Sequence, residues 1–132
     1  MIIICIDNIE SKWRLVLMSN NIIMDKSFDF ALRIVKLYQN ITLNKKEFIM
    51  SKQLLRAGTS IGANVRESRC AVSTADFKNK LSIALKEAKE TEYWIQLLIG
   101  ANYLTREETD NLEESCNELC KILGSIIVNC KN

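Results

Sequence analysis

The chain has 132 residues, no proline, no histidine and a formal net charge of +2, and this length suits a single domain. An interior proline costs a helix about 3 kcal/mol, so the absence of proline favours long uninterrupted helices. The absence of histidine excludes Ser-His-Asp and Cys-His catalysis, histidine-bearing zinc sites and the Glu-x-x-His di-iron sites of helix bundles. We therefore expect a protein that is not an enzyme and binds no metal or other cofactor.

The cysteines are odd in number and form no C-x-x-C pair, which indicates reduced thiols rather than a disulfide framework. No secretory signal is recognisable, and no apolar run approaches the roughly 18 residues of a membrane span. These features predict a cytoplasmic protein without membrane contact. The cysteines are Cys5, Cys70, Cys116, Cys120 and Cys130.

The first two dozen residues lack helical periodicity, and Met18 and Met24 offer later starting points. We interpret residues 1–24 as a poorly structured N-terminal leader, which an overextended reading frame would explain. Residues 25–132 are then the folded domain.

Ser27 is a candidate N-cap for a first helix that extends to about Thr42. This helix carries two apolar stripes, which predicts burial on two sides. One stripe is Phe28, Ala31, Leu32, Val35 and Tyr38, and the other is Phe30, Ile34, Leu37 and Ile41.

A second helix is predicted from the capping signal of Asn44 and Glu47 to about Cys70. Gly58 and Gly62 lie one turn apart on or beside its apolar side. Because each glycine costs a helix interior up to about 1 kcal/mol relative to alanine, their presence indicates that another backbone passes close by.

The third helix starts at Ser73 or Thr74 and has the clearest pattern, an apolar seam with alternating spacings of four and three. The seam is Phe77, Leu81, Ala84, Ala88, Thr91, Ile95 and Leu98. A weaker stripe of Ile83, Trp94, Leu97 and Ala101 lies beside it.

Thr105 and Glu108 form a capping-box pattern at the start of a fourth helix. Its apolar positions from Leu112 to Cys130 again alternate by four and three. Four amphipathic helices with short connections predict an all-α, antiparallel up-down four-helix bundle.

Two clusters could carry chemistry, and both have an ordinary structural reading. Glu87, Glu90 and Glu92 could serve in acid–base or metal chemistry, but Lys86 and Glu90 have the spacing of a surface ion pair. Cys116 and Cys120 lie one turn apart, yet buried free cysteine usually packs as a small apolar residue. We therefore predict no catalytic or metal-binding residue.

Positive charge is concentrated in the middle of the chain. Residues 25–72 contain nine basic and four acidic residues, whereas residues 73–132 contain seven basic and ten acidic ones. On the second helix the basic residues fall opposite the apolar face, an arrangement that suits phosphate contacts. The alternative is that these basic residues only form the solvated face of the helix and bind no phosphate. The candidate nucleic-acid-binding residues are Lys45, Lys52, Arg56, Arg66 and Arg69.

Two stretches resemble a known family. Residues 51–68 (SKQLLRAGTSIGANVRES), and residues 80–88 (KLSIALKEA) followed by Glu92, Tyr93 and Trp94, are similar to bacterial four-helix bundle proteins encoded in 23S ribosomal RNA intervening sequences. The resemblance covers roughly residues 25–130.

The resemblance implies a ring-like homopentamer and kinship with the basic, nucleic-acid-binding accessory proteins of diversity-generating retroelements. A total charge near neutrality weakens the implied nucleic-acid binding. The doubly apolar first helix and the weaker stripe of the third supply surface for contacts between copies. We expect the interface residues to be Ile34, Leu37, Ile83, Trp94 and Leu97.

Two functions therefore remain in view. The first is binding of nucleic acid, RNA in particular, by the basic face of a homo-oligomer. The alternative is an adaptor that binds a protein partner through its apolar stripes, with the basic face only solvated.

Overall fold

The computed structural model describes the backbone of residues 7–130 and the side chains of residues 18–130. A π-helical turn, Ile41–Lys45, continues the first helix. The described residues contain no strand, so the predicted all-α class is confirmed. Within the same residues, none of the helices combines the length and apolarity that crossing a membrane requires. The helices are α1 (Asp7–Asn40), α2 (Met50–Ser68), α3 (Thr74–Gly100), α4 (Arg106–Thr109) and α5 (Leu112–Asn129).

The four long helices contact one another in a closed order, in which α1 packs on α2, α2 on α3, α3 on α5 and α5 on α1. Helices α2 and α3 are antiparallel, because Arg56 contacts Glu87, whereas Glu67, later in α2, contacts Lys80, earlier in α3. One apolar core joins all four helices, and every residue of the predicted seam of α3 is buried.

The first helix begins earlier than the sequence predicts. Ser27 is buried inside α1 rather than at its N-terminus, and its Oγ donates a hydrogen bond to the Met24 carbonyl at 3.2 Å. A serine hydroxyl can bond back to its own helix in this way, so a capping residue does not enforce a helix start. Ile23 is fully buried in the core, and the predicted boundary after residue 24 therefore falls within a continuous helix. Residues 1–6 of the proposed leader lie outside the described residues.

Only one of the two apolar stripes of α1 faces the core, and it is the stripe that contains Ile34 and Leu37. These two residues were expected at an interface between copies, and the structure corrects that placement. Gly58 explains the choice of stripe, since a Cβ built on it would lie 2.8 Å from two carbon atoms of Ile34. The missing side chain makes room for Ile34, and the other stripe is left outside, with Phe28 and Leu32 exposed.

The start of α2 depends on Glu47 rather than on Asn44. The buried Glu47 carboxylate accepts hydrogen bonds from the backbone N–H groups of Ile49, Met50 and Ser51 at 2.9, 2.9 and 2.7 Å. Burial by itself raises the pKa of Glu47, but these backbone donors outweigh it and leave the pKa below its ordinary value. The predicted capping box of Asn44 and Glu47 is therefore wrong, because Asn44 lies in the π-helical turn and Glu47 instead binds the first N–H groups of a helix that begins at Met50.

The predicted caps of the later helices are confirmed, but the fourth helix is divided. Ser73 Oγ accepts the Asp76 N–H at 3.0 Å, and Thr105 and Glu108 form a reciprocal capping box. After the single turn of α4, Asp110 and Asn111 have φ values of 22° and 59°. A left-handed pair interrupts the helical path, so α5 starts anew at Leu112.

Glu47→Gln should destabilise the protein by about 1–2 kcal/mol near neutral pH, because an amide offers one acceptor oxygen and no charge to the three N–H donors. Urea unfolding measures the change. Glu67→Gln is the control, since the exposed Glu67 carboxylate contacts only Lys80 among the described residues.

The effect of Glu47→Gln should also depend on pH. Because folding lowers the pKa of Glu47 from its ordinary value of 4.5, the stabilisation is complete above that value and is lost as the pH falls through the lowered folded-state pKa. Stability curves of the two proteins should therefore converge in acid. A constant gap between them from neutral pH to pH 3 contradicts this assignment.

Gly58→Ala should lower the free energy of unfolding by about 1–2 kcal/mol, since overpacking against Ile34 exceeds the gain in helix propensity. Gly124→Ala is the matched control, because a Cβ there meets no atom within 4 Å. That variant should stabilise α5 by about 0.5–1 kcal/mol. Equal effects of the two substitutions on the thermal midpoint would show that the Ile34 contact is unimportant.

Candidate functional site: the outer face of α2

The five predicted basic residues do not form one continuous stripe. Lys52, Arg56 and Arg66 lie on α2 with exposed side chains, whereas Lys45 belongs to the π-helical turn and Arg69 follows the last residue of α2. The sequence-based arc assumed a helix that already includes residue 45, and the late start of α2 at Met50 removes Lys45 from it.

Arg56 is bound by carboxylates of the neighbouring helix. Its Nη1 lies 3.2 Å from Glu87 Oε2, and its Nη2 contacts the Glu90 carboxylate. Glu90 also accepts a hydrogen bond from Trp94 Nε1 at 3.4 Å. The ion pair expected between Lys86 and Glu90 is therefore replaced by a pair across the α2–α3 contact, and the charge of Arg56 is largely compensated.

Lys45 and Arg69 also have partners within the chain. Lys45 Nζ lies 3.3 Å from Glu108 Oε1. The Thr105 backbone N–H, together with Asn40 and Lys45, lowers the pKa of Glu108 despite burial, so this carboxylate ties the α4 turn to the end of α1. The Arg69 guanidinium donates to Asn21 Oδ1 on α1.

Arg66 has a different environment, which sequence patterning did not reveal. Its guanidinium carbon lies 5.8 Å from the centre of the Phe28 ring, and that ring is 51% exposed. A groove of about 340 Å³ beside them is lined by small side chains that include Ala31, Thr59 and Ala63. We call Phe28, Arg66 and this groove the α1–α2 platform.

The platform was missed because its aromatic and its cation come from different helices. Along α2 alone no aromatic accompanies the basic residues, and Phe28 was assigned to a stripe of α1. Gly62 brings the two helices together, since a Cβ on it would lie 3.3 Å from the Ser27 carbonyl oxygen. The paired glycines were the available signal, but they do not identify which side chains become neighbours.

The expected interface residues of α3 border the other edge of the same face. Ile83 and Trp94 are partly buried, and Leu97 is 37% exposed. Trp94 reaches this edge through Glu90, which also holds Arg56. Of the predicted apolar stripe of α3, Trp94 is thus connected to the basic face of α2 through the Glu90–Arg56 pair.

Neither cluster considered for chemistry forms a recognisable centre in the described part of the chain. Glu87 and Glu90 bind Arg56, and Glu92 lies 3.9 Å from Lys89. Across that part, no three cysteine, aspartate or glutamate side chains are grouped to hold a metal ion.

The two thiols of α5 influence each other within the core. Cys116 Sγ donates to the Ala88 carbonyl at 3.1 Å. The neighbouring Cys120 thiol, together with burial, raises the pKa of Cys116 above its ordinary value. Both residues pack in the apolar core, as expected of buried cysteine.

The comparisons with known proteins agree on one family. A family model described as 23S rRNA-intervening sequence protein matches residues 19–125. A crystal structure at 1.70 Å of a protein of unknown function from the S23 ribosomal protein family of Bacteroides thetaiotaomicron has 55% sequence identity and a TM-score of 0.81. The match covers 83% of this chain and 98% of that one. No curated protein matches. The chain thus belongs to the 23S rRNA-intervening sequence protein family.

Proposed function

We propose that the protein is a non-enzymatic, homo-oligomeric, cytoplasmic helix bundle that binds single-stranded RNA through the outer face of α2. The observation that carries this proposal is the α1–α2 platform. An exposed aromatic ring beside an arginine offers a surface for a splayed-out base and a cation for its phosphate.

The charges around the platform support contact with a phosphate backbone. Among the described residues, Lys52 and Arg66 take part in no ion pair, unlike Arg56. Both side chains are exposed on α2. Two such cations favour weak binding that depends on salt and reads no base sequence.

The family description mentions ribosomal RNA, but that name refers to the intervening sequences in which such proteins are encoded and not to a ligand. The similar solved structure is of a protein of unknown function, and we therefore derive the RNA-binding residues from this chain alone. Arg56 is excluded from that set, since its carboxylate partners make any substitution there a test of stability as well as of binding.

Arg66→Glu and Lys52→Glu should each weaken binding of a short single-stranded RNA several-fold at low salt, because each reverses one charge near the phosphates. Arg66→Ala should reduce the slope of log affinity against log salt by about one. Fluorescence anisotropy measures both quantities. Lys121→Glu provides the control, with the same charge reversal at an exposed position of α5.

Phe28→Ala separates stacking from simple charge attraction. Loss of a stacked base should cost about 1–3 kcal/mol of binding free energy, while the salt slope should stay close to that of the wild type. If all these variants bind RNA as the wild type does, or if the wild type does not bind at low salt, the platform is not an RNA site.

Self-association is the second part of the proposal, and the connection between α1 and α2 supports it. Three large apolar side chains, Leu43, Phe48 and Ile49, are exposed there, and Ile49 is 79% exposed. A cluster of this kind favours contact with another protein surface. Because the family resemblance implies a pentamer, we propose that a second copy of this chain covers this apolar cluster.

Light scattering should give a mass that is a multiple of 15.1 kDa, fivefold for a pentamer. The double variant Phe48→Asp, Ile49→Asp should shift it towards the single-chain mass. Val128→Asp is the control, because Val128 is 78% exposed at the end of α5 and lies apart from this connection in sequence. A wild type that remains a single chain at high concentration contradicts self-association.

A protein adaptor is the alternative, and the exposed Leu32 of α1 together with Leu97 of α3 favours it. Each is an exposed apolar side chain to which the apolar side of a partner helix would bind. Affinity purification with and without ribonuclease distinguishes the two functions. A stoichiometric partner that survives the nuclease and is lost with Leu32→Glu supports the adaptor, whereas loss of all bound material on nuclease treatment supports RNA binding.

A further inference from the structure

The N-terminal part of α1 extends past the ends of α2 and α3. The Arg69 guanidinium, just after α2, donates a hydrogen bond to Asn21 Oδ1 on α1. Asn20, Asn21 and Thr74, the first residue of α3, line the same cavity. Since α1 begins at Asp7, about three and a half of its turns precede the level at which α2 ends and α3 begins.

Helix α5 follows α1 further, but it also ends first. The two helices are antiparallel, since Arg33 contacts Ser115, whereas Lys26, earlier in α1, contacts Glu118, later in α5. Counted from the Lys26–Glu118 pair, the last residue of α5, Asn129, lies level with residue 15 of α1, because both helices have the same rise per residue. Beyond that level no other described helix runs beside α1. Helices in proteins are stabilised mainly by packing of an apolar face, so this end of α1 requires a partner.

The apolar register of α1 continues into residues 7–17, which we call the N-terminal arm. The buried positions of α1 within the bundle alternate by four and three. Counted back through Asn20 with the same alternation, the register reaches Val16, Trp13 and Ile9. The first two dozen residues are therefore periodic, although the pattern becomes visible only in the register that the bundle sets. The buried positions are Ile23, Ser27, Phe30, Ile34, Leu37 and Ile41.

This register suits a two-stranded coiled coil between equivalent helices. Alternation by four and three is the heptad pattern, in which apolar residues of one helix fit between those of the other. Glu10 and Lys12 stand next to Ile9 and Trp13 in sequence, so the apolar seam is narrow, as pairing of two strands requires. In a parallel pair Lys12 faces Leu17 of the second copy, whereas an antiparallel pair brings the two Glu10 side chains together.

Charge favours a second copy of the chain over a lipid surface. Helices that lie on membranes carry a polar face rich in lysine and arginine, whereas the arm has two acidic and two basic residues. An arm whose charges sum to zero is not attracted to anionic lipid and does not repel its own copy. The charged residues are Asp7, Glu10, Lys12 and Arg14.

We propose that the N-terminal arm pairs in parallel with the arm of a second copy of this chain, with Ile9 and Trp13 at the contact. The family model matches residues 19–125, so this contact lies outside the matched bundle. It adds to the contact between copies proposed above, because the connection that contains Phe48 and Ile49 follows the opposite end of α1. It requires neither RNA nor the α1–α2 platform.

Photo-crosslinking tests the arm contact directly in the full-length protein. The crosslinking residue p-benzoylphenylalanine replaces Ile9, and a mixture of ¹⁴N- and ¹⁵N-labelled protein is irradiated. Mixed-isotope crosslinks form only between copies, and mass spectrometry should map them to residues 7–17. Ser11 is the matched control position, because it lies on the opposite side of the same helix from Ile9. The crosslinker should give several-fold fewer mixed products there.

Light scattering separates the arm from the connection between α1 and α2. The variant Phe48→Asp, Ile49→Asp should still reach up to twice the single-chain mass of 15.1 kDa at high concentration, because its arms remain intact. Adding Ile9→Asp and Trp13→Asp should return the single-chain mass, whereas adding Ser11→Asp should not. Crosslinking does not need these variants and keeps the test decisive if they fold poorly.

The two contacts between copies can fail separately. Arm-to-arm crosslinks in a protein whose mass does not depend on Phe48 and Ile49 support the arm contact while the proposed interface at the connection fails. If Ile9 gives no more mixed-isotope crosslinks than Ser11, the arm does not pair. Binding to anionic vesicles that Trp13→Asp abolishes, without arm-to-arm crosslinks, assigns the arm to a lipid surface and also overturns the inference.

Discussion

The close contact between α1 and α2 is the constraint on which the rest of this structure depends. Gly58 and Gly62 remove the side chains that would hold the two backbones apart, and Ile34 and the Ser27 carbonyl occupy the space. This contact decides which stripe of α1 enters the core. It also accompanies the contacts of Phe28 with Arg66 and of Asn21 with Arg69, so the α1–α2 platform depends on the close packing that the two glycines allow.

Periodicity predicts those features of the fold that depend on neighbours in sequence. The seam of α3 and the caps at Ser73 and Thr105 are local patterns, and the structure contains all three. The predicted start of α1 at Ser27 is wrong, because in sequence a serine inside a helix looks the same as a serine that caps one. The choice between the two stripes of α1 could not be made from spacing, since both are apolar and only the shape of α2 distinguishes them.

The candidate site was less predictable, because its charges and its aromatic ring come from neighbouring helices. When α2 is considered alone, its sequence predicts that Arg56 is an unpaired cation, yet the carboxylates of Glu87 and Glu90 on α3 bind it. The opposite error concerns Arg66, whose aromatic neighbour lies on α1. A helical wheel describes the surface of one helix, whereas binding depends on the grooves between neighbouring helices.

The few uncompensated charges on α2 have a consequence for how such a protein could hold RNA. A face with two cations and one exposed ring would give a single copy only a low affinity for an RNA strand. In the proposed assembly, joined through the connection that contains Phe48 and Ile49, RNA would reach several copies only if the outer faces of α2 were left uncovered. Linked weak sites raise the effective concentration of each next contact, and avidity can exceed the affinity of one site by about 10²–10⁴. Long or looped RNAs that reach several copies would then be retained in preference to short ones, so that selectivity comes from the length of the ligand rather than from its sequence.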